Sequence, residues 1–298
     1  LTNRALIELA NKEQLKSFLK KGLISKTNLS TDETKELPGL LPICSNKCNA
    51  SQGRLTLASF YIASRWAVDA QEPPFDYVIM DEASQAFLPM IAATFLLGKK
   101  VIWIGDQNQL SPIVTMNEDV IARFDWLPIV TGFDTVCKYS GYVSYMLKDT
   151  YRLSCRAASC TGVFYENELR SVSPNQQTPS HLPFMKAEGG PSVIDIKLPI
   201  GDKCPQEGLQ KVLEIAQAII SENKNAKLVI LSKFRSTIGA LQRYFLLYGD
   251  EELYNAIQID TVDSVQGLTT DYCIYFIPNV SLRYSLSESL FNVATSRA

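Results

Sequence analysis

Two apolar runs in residues 76–114, DYVIMDEASQAFLPMIAATFLLGKKVIWIGDQNQLSPIV, end in carboxylates. Tyr77–Met80 stops at Asp81 and Glu82, and Val101–Ile104 stops at Gly105-Asp106, with Gln109 in the polar loop behind. Two adjacent carboxylates suit a divalent metal and a general base. They also suit the start of a helix, because acids favour helix N-termini. The second acid-tipped run shifts the reading toward a nucleotide site.

The elements that must position these residues follow from patterning. Short continuous apolar runs bounded by turn signals are expected to be strands buried on both faces, as in a parallel sheet covered by helices. In such sheets ligands bind outside the carboxyl ends of the strands, so both acid-bearing ends are expected on one rim. Residues 86–97 fit a helix with Pro89 in its first turn. Upstream, Leu6, Ile7, Leu9, Leu15, Phe18, Leu19 and Leu23 suggest a helical stripe over 5–24, ended near Gly22. Residues 25–54 read as loop or a small insertion, and Leu55–Ile62 as a strand in which Phe60 and Tyr61 are core. Residues 115–148 are expected to hold short helices and the passage between domains.

A second α/β block follows. Leu209, Val212, Leu213, Ala216, Ile219 and Ile220 recur at helical spacing. Lys227–Leu231, Ile257–Asp260 and Tyr272–Ile277 read as strands, 237–248 and Ser287–Arg297 as helices, and 171–208 as loop. Strands alternating with helices imply crossover connections and parallel sheets.

Composition narrows the classes. The 298 residues, 46% hydrophobic and 20% charged, suit two ordinary soluble domains. No apolar run approaches the ~18 residues of a membrane span, and the start lacks a signal-peptide pattern. The seven cysteines are odd in number and scattered, which suggests reduced thiols in a cytoplasmic protein. Cys44 and Cys48 could supply two zinc ligands, but no second pair completes a site, and the single histidine, His181, lies in a Pro-rich loop. A net charge of −2 excludes a basic footprint over the whole chain, so any nucleic-acid surface must be a local groove.

Taken in order, the motifs resemble those of superfamily 1 helicases, in the branch of the nonsense-mediated-decay RNA helicase and its DNA-acting relatives. Thr2-Asn3-Arg4-Ala5 is similar to motif Ia, DEASQA (81–86) to motif II and GDQNQLSP (105–112) to motif III. Tyr151-Arg152 with FYENEL (164–169), TVDSVQG (261–267) like motif V and NVATSRA (292–298) like motif VI complete the series. The resemblance implies two RecA-like domains, residues 1–140 and 141–298, with ATP between them and single-stranded DNA or RNA across both. It implies that Asp81 holds Mg²⁺, that Glu82 is the base, and that Gln109, which can donate and accept, senses the γ-phosphate or the attacking water. Tyr151 would face the adenine, while Arg152 and Arg297 would grip the γ-phosphate in two places. Gly105, Asp106, Gln266 and Gly267 would complete the nucleotide contacts. Thr2, Asn3, Ser59, Thr261, Asp263 and Ser264, with Phe234 as a stacking ring, would meet nucleic acid without reading its sequence. The branch favours 5′-to-3′ movement, and oligomeric state stays open.

Two features depart from the pattern. No G-x-x-x-x-G-K-S/T occurs; the Gly98-Lys99 pair is followed by Lys100. The chain is therefore expected to be an excerpt that starts at motif Ia, binds ATP poorly and does not hydrolyse it by itself. Thr269 also stands where motif V usually carries an acid, so Asp271 or an altered ribose contact must serve. The alternative expectation is a nucleic-acid-binding or adaptor protein without ATPase activity.

Overall fold

The alternation of apolar runs and helical stripes becomes parallel sheets flanked by helices in the computed structural model, which describes residues 3–172, 181–186, 189–265 and 268–298. Every strand pairing among the described residues is parallel, so the expected α/β class is observed. The chain divides into two compact units: Leu1–Gln107 with Ser111–Ser144, and Asn108–Leu110 with Tyr145–Ala298. No described helix is long and apolar enough to cross a membrane.

In the first unit, the stripe expected as one helix over 5–24 is two, α1 (Asn3–Ala10) and α2 (Lys16–Lys20), separated by a 3₁₀ turn at Glu13–Leu15. Gly22, at φ +63°, ends the second in the left-handed conformation that glycine tolerates. Leu6, Ile7, Ala10 and Leu19 still share one core with Ile24, Leu40 and Leu57.

The stretch expected as loop over 25–54 instead holds β1 (Ile24–Thr27), α3 (Thr31–Glu36) and β2 (Leu40–Ile43). With β3 (Leu55–Leu57) they make a sheet of order β2–β1–β3. The central strand reads Ile-Ser-Lys-Thr, a polar sequence that is wholly buried because Lys26 donates to Glu33 Oε2 at 3.1 Å and to Thr27 O at 3.3 Å. Glu33 is itself placed by the capping box that starts α3, accepting from the Ser30 amide while its own amide donates to Ser30 Oγ. The strand expected over Leu55–Ile62 stops at Leu57. Ser59 then takes the first cap position of α4 (Phe60–Asp69), leaving Phe60 packed against the Met80 core and Tyr61 exposed.

Next, β4 (Phe75–Met80), α5 (Leu88–Leu97, with Pro89 in its first turn) and β5 (Gly98–Trp103) form a parallel pair and its crossover. Here the expectation of burial on both faces fails. Val78 packs against Trp66, Ala67, Ala93 and Leu97 of α4 and α5, but Tyr77 and Ile79 on the other face are 60% and 62% exposed. An apolar run thus marked a strand correctly and overstated its cover. The unit closes with α6 (Glu118–Arg123), α7 (Leu127–Val130) and α8 (Gly132–Tyr139), the short helices expected in 115–148.

The second unit opens with β6 (Asp149–Thr150), α9 (Cys155–Thr161) and β7 (Arg170–Ser171). The long helix α10 (Gln206–Glu222) leads to β8 (Leu228–Ser232), α11 (Arg235–Tyr248), α12 (Glu251–Ala256) and β9 (Ile257–Thr261). Finally come β10 (Tyr272–Tyr275), α13 (Leu282–Ser285) and α14 (Glu288–Thr295), with a sheet order of β10–β8–β9. The central strand β8 is buried on both faces: Leu228 and Ile230 join the α10–α11 core, while Val229 and Leu231 join Val293 and Ala294 of α14. That period of two follows from the pleat.

Candidate functional site

The acids of the first unit are placed by the register of β4 and β5. Met80 pairs with Trp103, so Asp81 and Ile104 leave the sheet at the same end. Beyond the strands, Ile104 N–H donates to Met80 O and Ala83 N–H donates to Ile104 O, both at 2.8 Å. These two bonds stitch the loop after β4 to the loop after β5. Glu82 adopts φ +55° and ψ +38°, a left-handed conformation that costs about 1–3 kcal/mol in a residue with a Cβ. Its amide donates to Asp81 Oδ1 at 3.0 Å, and its carbonyl accepts from Gln85 N–H at 3.0 Å, which holds the turn.

Gly105 makes the close approach of the two loops feasible. A Cβ there would lie 2.9 Å from the Ser84 amide nitrogen and 2.9 Å from the Phe133 ring. Asp81, Glu82 and Asp106 are half-buried, and with exposed Gly105 they occupy one rim. Among the described residues no three His, Cys, Asp or Glu side chains converge as a self-sufficient metal cage. A Mg²⁺ ion does not need one, since it is usually held by one or two carboxylates plus phosphate oxygens and water; Asp81 fits that donor set.

In the second unit, Arg152 and Arg297 meet at Ser296. Arg152 Nη1 donates to Ser296 O at 3.2 Å, and Arg297 Nη2 donates to Ser296 Oγ at 2.9 Å. Arg152 is exposed, whereas Arg297 is 1% exposed. The Arg297 guanidinium also donates to Val293 O at 2.8 Å, to Leu268 O at 3.4 Å and to Val265 O at 3.5 Å. It therefore closes the end of α14 and binds carbonyls on either side, in sequence, of Gln266 and Gly267, which lie outside the described residues. Burial beside it pushes the Cys273 thiol up to about 12, against a smaller downward pull from the Arg297 charge. Tyr151 is 75% exposed.

Gln109 is half-buried in the short segment that packs with this unit. Its neighbours anchor it: Asn108 Nδ2 donates to Phe164 O at 2.6 Å, and Leu110 packs against the Val229–Val293 core. Asn292, fully buried, donates to Asn108 O at 3.0 Å and to the Tyr165 hydroxyl at 2.8 Å. Sequence reasoning missed Asn292, although it opens the NVATSRA stretch.

At the carboxyl ends of β8 and β9, Ser232 pairs with Thr261, which brings Phe234, Thr261, Asp263 and Ser264 to one end of the sheet. The Thr261 and Ser264 hydroxyls are 2.8 Å apart. Asp263 is bound by Lys233, whose ammonium reaches both carboxylate oxygens at 3.0 and 3.1 Å. Burial disfavours the Lys233 charge, but Asp263 and the Tyr284 hydroxyl outweigh it and raise the pKa above the ordinary lysine value. Lys203, Lys233 and Tyr284 were not among the expected residues. Asn3 is exposed at the start of α1, Ser59 is half-buried before α4, and Thr2 lies outside the described residues.

Residues 56–117, which include both acid-tipped strands, match a family model described as an AAA domain. Over 247 residues the chain is 24% identical to an uncharacterized ATP-dependent helicase of Methanocaldococcus jannaschii, covering 75% of this chain and 34% of that protein. These likenesses support a helicase family. The chain spans about a third of the length of that relative.

Proposed function

We propose that the chain carries the two RecA-like domains, residues 1–140 and 141–298, of an ATP-dependent motor that translocates on and unwinds nucleic acid. The observation that carries this reading is the stitched pair of strand ends, which sets Asp81, Glu82, Gly105 and Asp106 on one rim. Phosphoryl transfer from ATP is catalysed mainly by positioning and by neutralising charge. Mg²⁺, held by Asp81 with phosphate oxygens and water, would supply that neutralisation. Glu82 then accepts the proton of the attacking water, and Gln109 orients it. Tyr151 stacks on the adenine, with Gln266 and Gly267 at the nucleotide. Arg152 supplies a guanidinium, and Arg297 joins it on leaving its carbonyl partners. The ATP-dependent helicase similar to this chain supports the use of ATP.

Thr2, Asn3, Ser59, Thr261, Ser264 and Phe234 would meet single-stranded DNA or RNA through hydroxyls, amides and a ring, so binding is sequence-independent and weakens with salt. Asp263 acts through Lys233. The setting proposed is cytoplasmic.

The test is Glu82→Gln in the full-length protein. Nucleic-acid-stimulated ATP turnover should vanish while ATP binding persists; retained turnover displaces Glu82 as the base. The engagement of Arg297 by four protein acceptors favours a second reading, a nucleic-acid-binding adaptor without ATPase activity. Absence of turnover in the unmutated full-length protein, with nucleic-acid binding intact, would establish the adaptor.

A further inference from the structure

Apart from the acid rim and the arginine pair, four side chains of the second unit alternate as cation, ring, ring and cation. The Lys203 ammonium lies 4.9 Å from the centre of the Phe234 ring, and the Lys233 ammonium 4.9 Å from the centre of the Tyr284 ring. The two ring centroids are 6.5 Å apart at an interplanar angle of 46°. Three separate stretches supply them: the loop before α10, the turn between β8 and α11, and α13. Core packing does not account for the arrangement, because Tyr284 is 55% exposed and Lys203 is exposed. Arg235 and Arg283, also exposed, neighbour the two rings in sequence. Against these four cations stand Asp263, bound to Lys233, and Asp202, which accepts from the Cys204 amide. A local basic patch with two rings therefore exists in a chain of net charge −2.

A ring face covered by an ammonium is a site that a nucleobase can take over. Base–aromatic stacking tolerates any base and is stronger than an exposed cation–π contact. The displaced lysine, on a flexible stem, then finds a full negative charge on the adjoining phosphate instead of a ring quadrupole. Lys203 has the space to make that exchange, being exposed at the rim. Lys233 is held by Asp263 and so keeps Tyr284 in place.

We propose that Phe234, Tyr284 and Lys203 form a stacking subsite for a base of single-stranded nucleic acid and the phosphate beside it. Lys233, locked by Asp263, is the positioning residue for the Tyr284 ring. This rests on the nucleic-acid reading above, which already holds Phe234, and adds the Tyr284 ring and Lys203.

Fluorescence anisotropy of the 298-residue chain with labelled oligothymidylate and oligouridylate tests it. Tyr284→Ala should weaken binding about tenfold, and Tyr284→Phe should restore it. On an abasic strand of the same length, Tyr284→Ala should change nothing, because no base is present to stack. Lys203→Gln should reduce the slope of log affinity against log salt by about 0.7, one single-strand phosphate contact. This exposed change does not threaten folding, and an unchanged slope removes Lys203 from the subsite. Equal weakening by Tyr284→Ala and Tyr284→Phe, or equal weakening on the abasic strand, overturns the stacking role. If Thr261→Ala with Ser264→Ala weakens binding while Tyr284→Ala and Lys203→Gln do not, the nucleic-acid reading stands and the subsite falls. If the unmutated chain binds neither strand, both fall.

Discussion

Single atoms decide how closely the two acid-bearing loops can approach. The space beside Gly105 is closed by a backbone nitrogen and a packed ring, neither of which can swing aside. Gly105→Ala should therefore destabilise the first unit by about 1–3 kcal/mol through overpacking, read as a drop in thermal midpoint. Gly239 offers the contrast. It sits inside α11, and a Cβ there would meet nothing within 4 Å. Gly239→Ala should raise the midpoint, since alanine is the better helix former by about 0.5–1 kcal/mol. Equal effects at the two positions would mean that the contact with Ser84 carries no constraint.

At the scale of an element, β1 is a buried strand whose polar residues are tolerated through one ion pair. The Glu33 carboxyl is held below the ordinary carboxylate range, chiefly by the Ser30 amide and, against a desolvation penalty, by Lys26. A depressed acid stabilises the fold above its unfolded pKa of about 4.3 and loses that contribution as pH falls through the folded value. Glu33→Gln should therefore cost roughly 1–3 kcal/mol at neutral pH, because the buried Lys26 charge loses its partner. The gap between variant and unmutated chain should close as pH drops below the carboxylate range. Thermal melts across that range check the sign; a gap that persists in acid would show that Glu33 acts through packing instead of charge.

For the molecule as a whole, Asn108–Leu110 is the stretch in which the chain visits the second unit before returning to the first. It is held there by Asn292 and by the apolar core against which both Leu110 and Cys273 pack. That thiol, half-buried and raised to about 12 by desolvation, reacts slowly with an alkylating agent until the unit opens. Leu110→Ala removes half-buried apolar contact, and should speed Cys273 alkylation about tenfold if the segment is integral to the core. Exposed Cys44 serves as the control and should not change. An unchanged Cys273 rate would show that Asn108–Leu110 rests on the unit without stabilising it.

The sequence alone determined the parallel α/β class, because uninterrupted apolar runs between helical stripes leave few other packings. It also determined that Asp81-Glu82 and Gly105-Asp106 follow strands, since each pair comes directly after an apolar run. It did not determine β1: a Ser-Lys-Thr strand looks solvent-facing until Glu33 is brought to Lys26. Nor did it determine the cover of β4, whose Tyr77 and Ile79 are apolar yet exposed. Only the tertiary structure turned Arg297 inward and set Lys203, Phe234, Tyr284 and Lys233 in a row. Those arrangements join residues far apart along the chain, and the energy of such contacts depends on distances that no local pattern records.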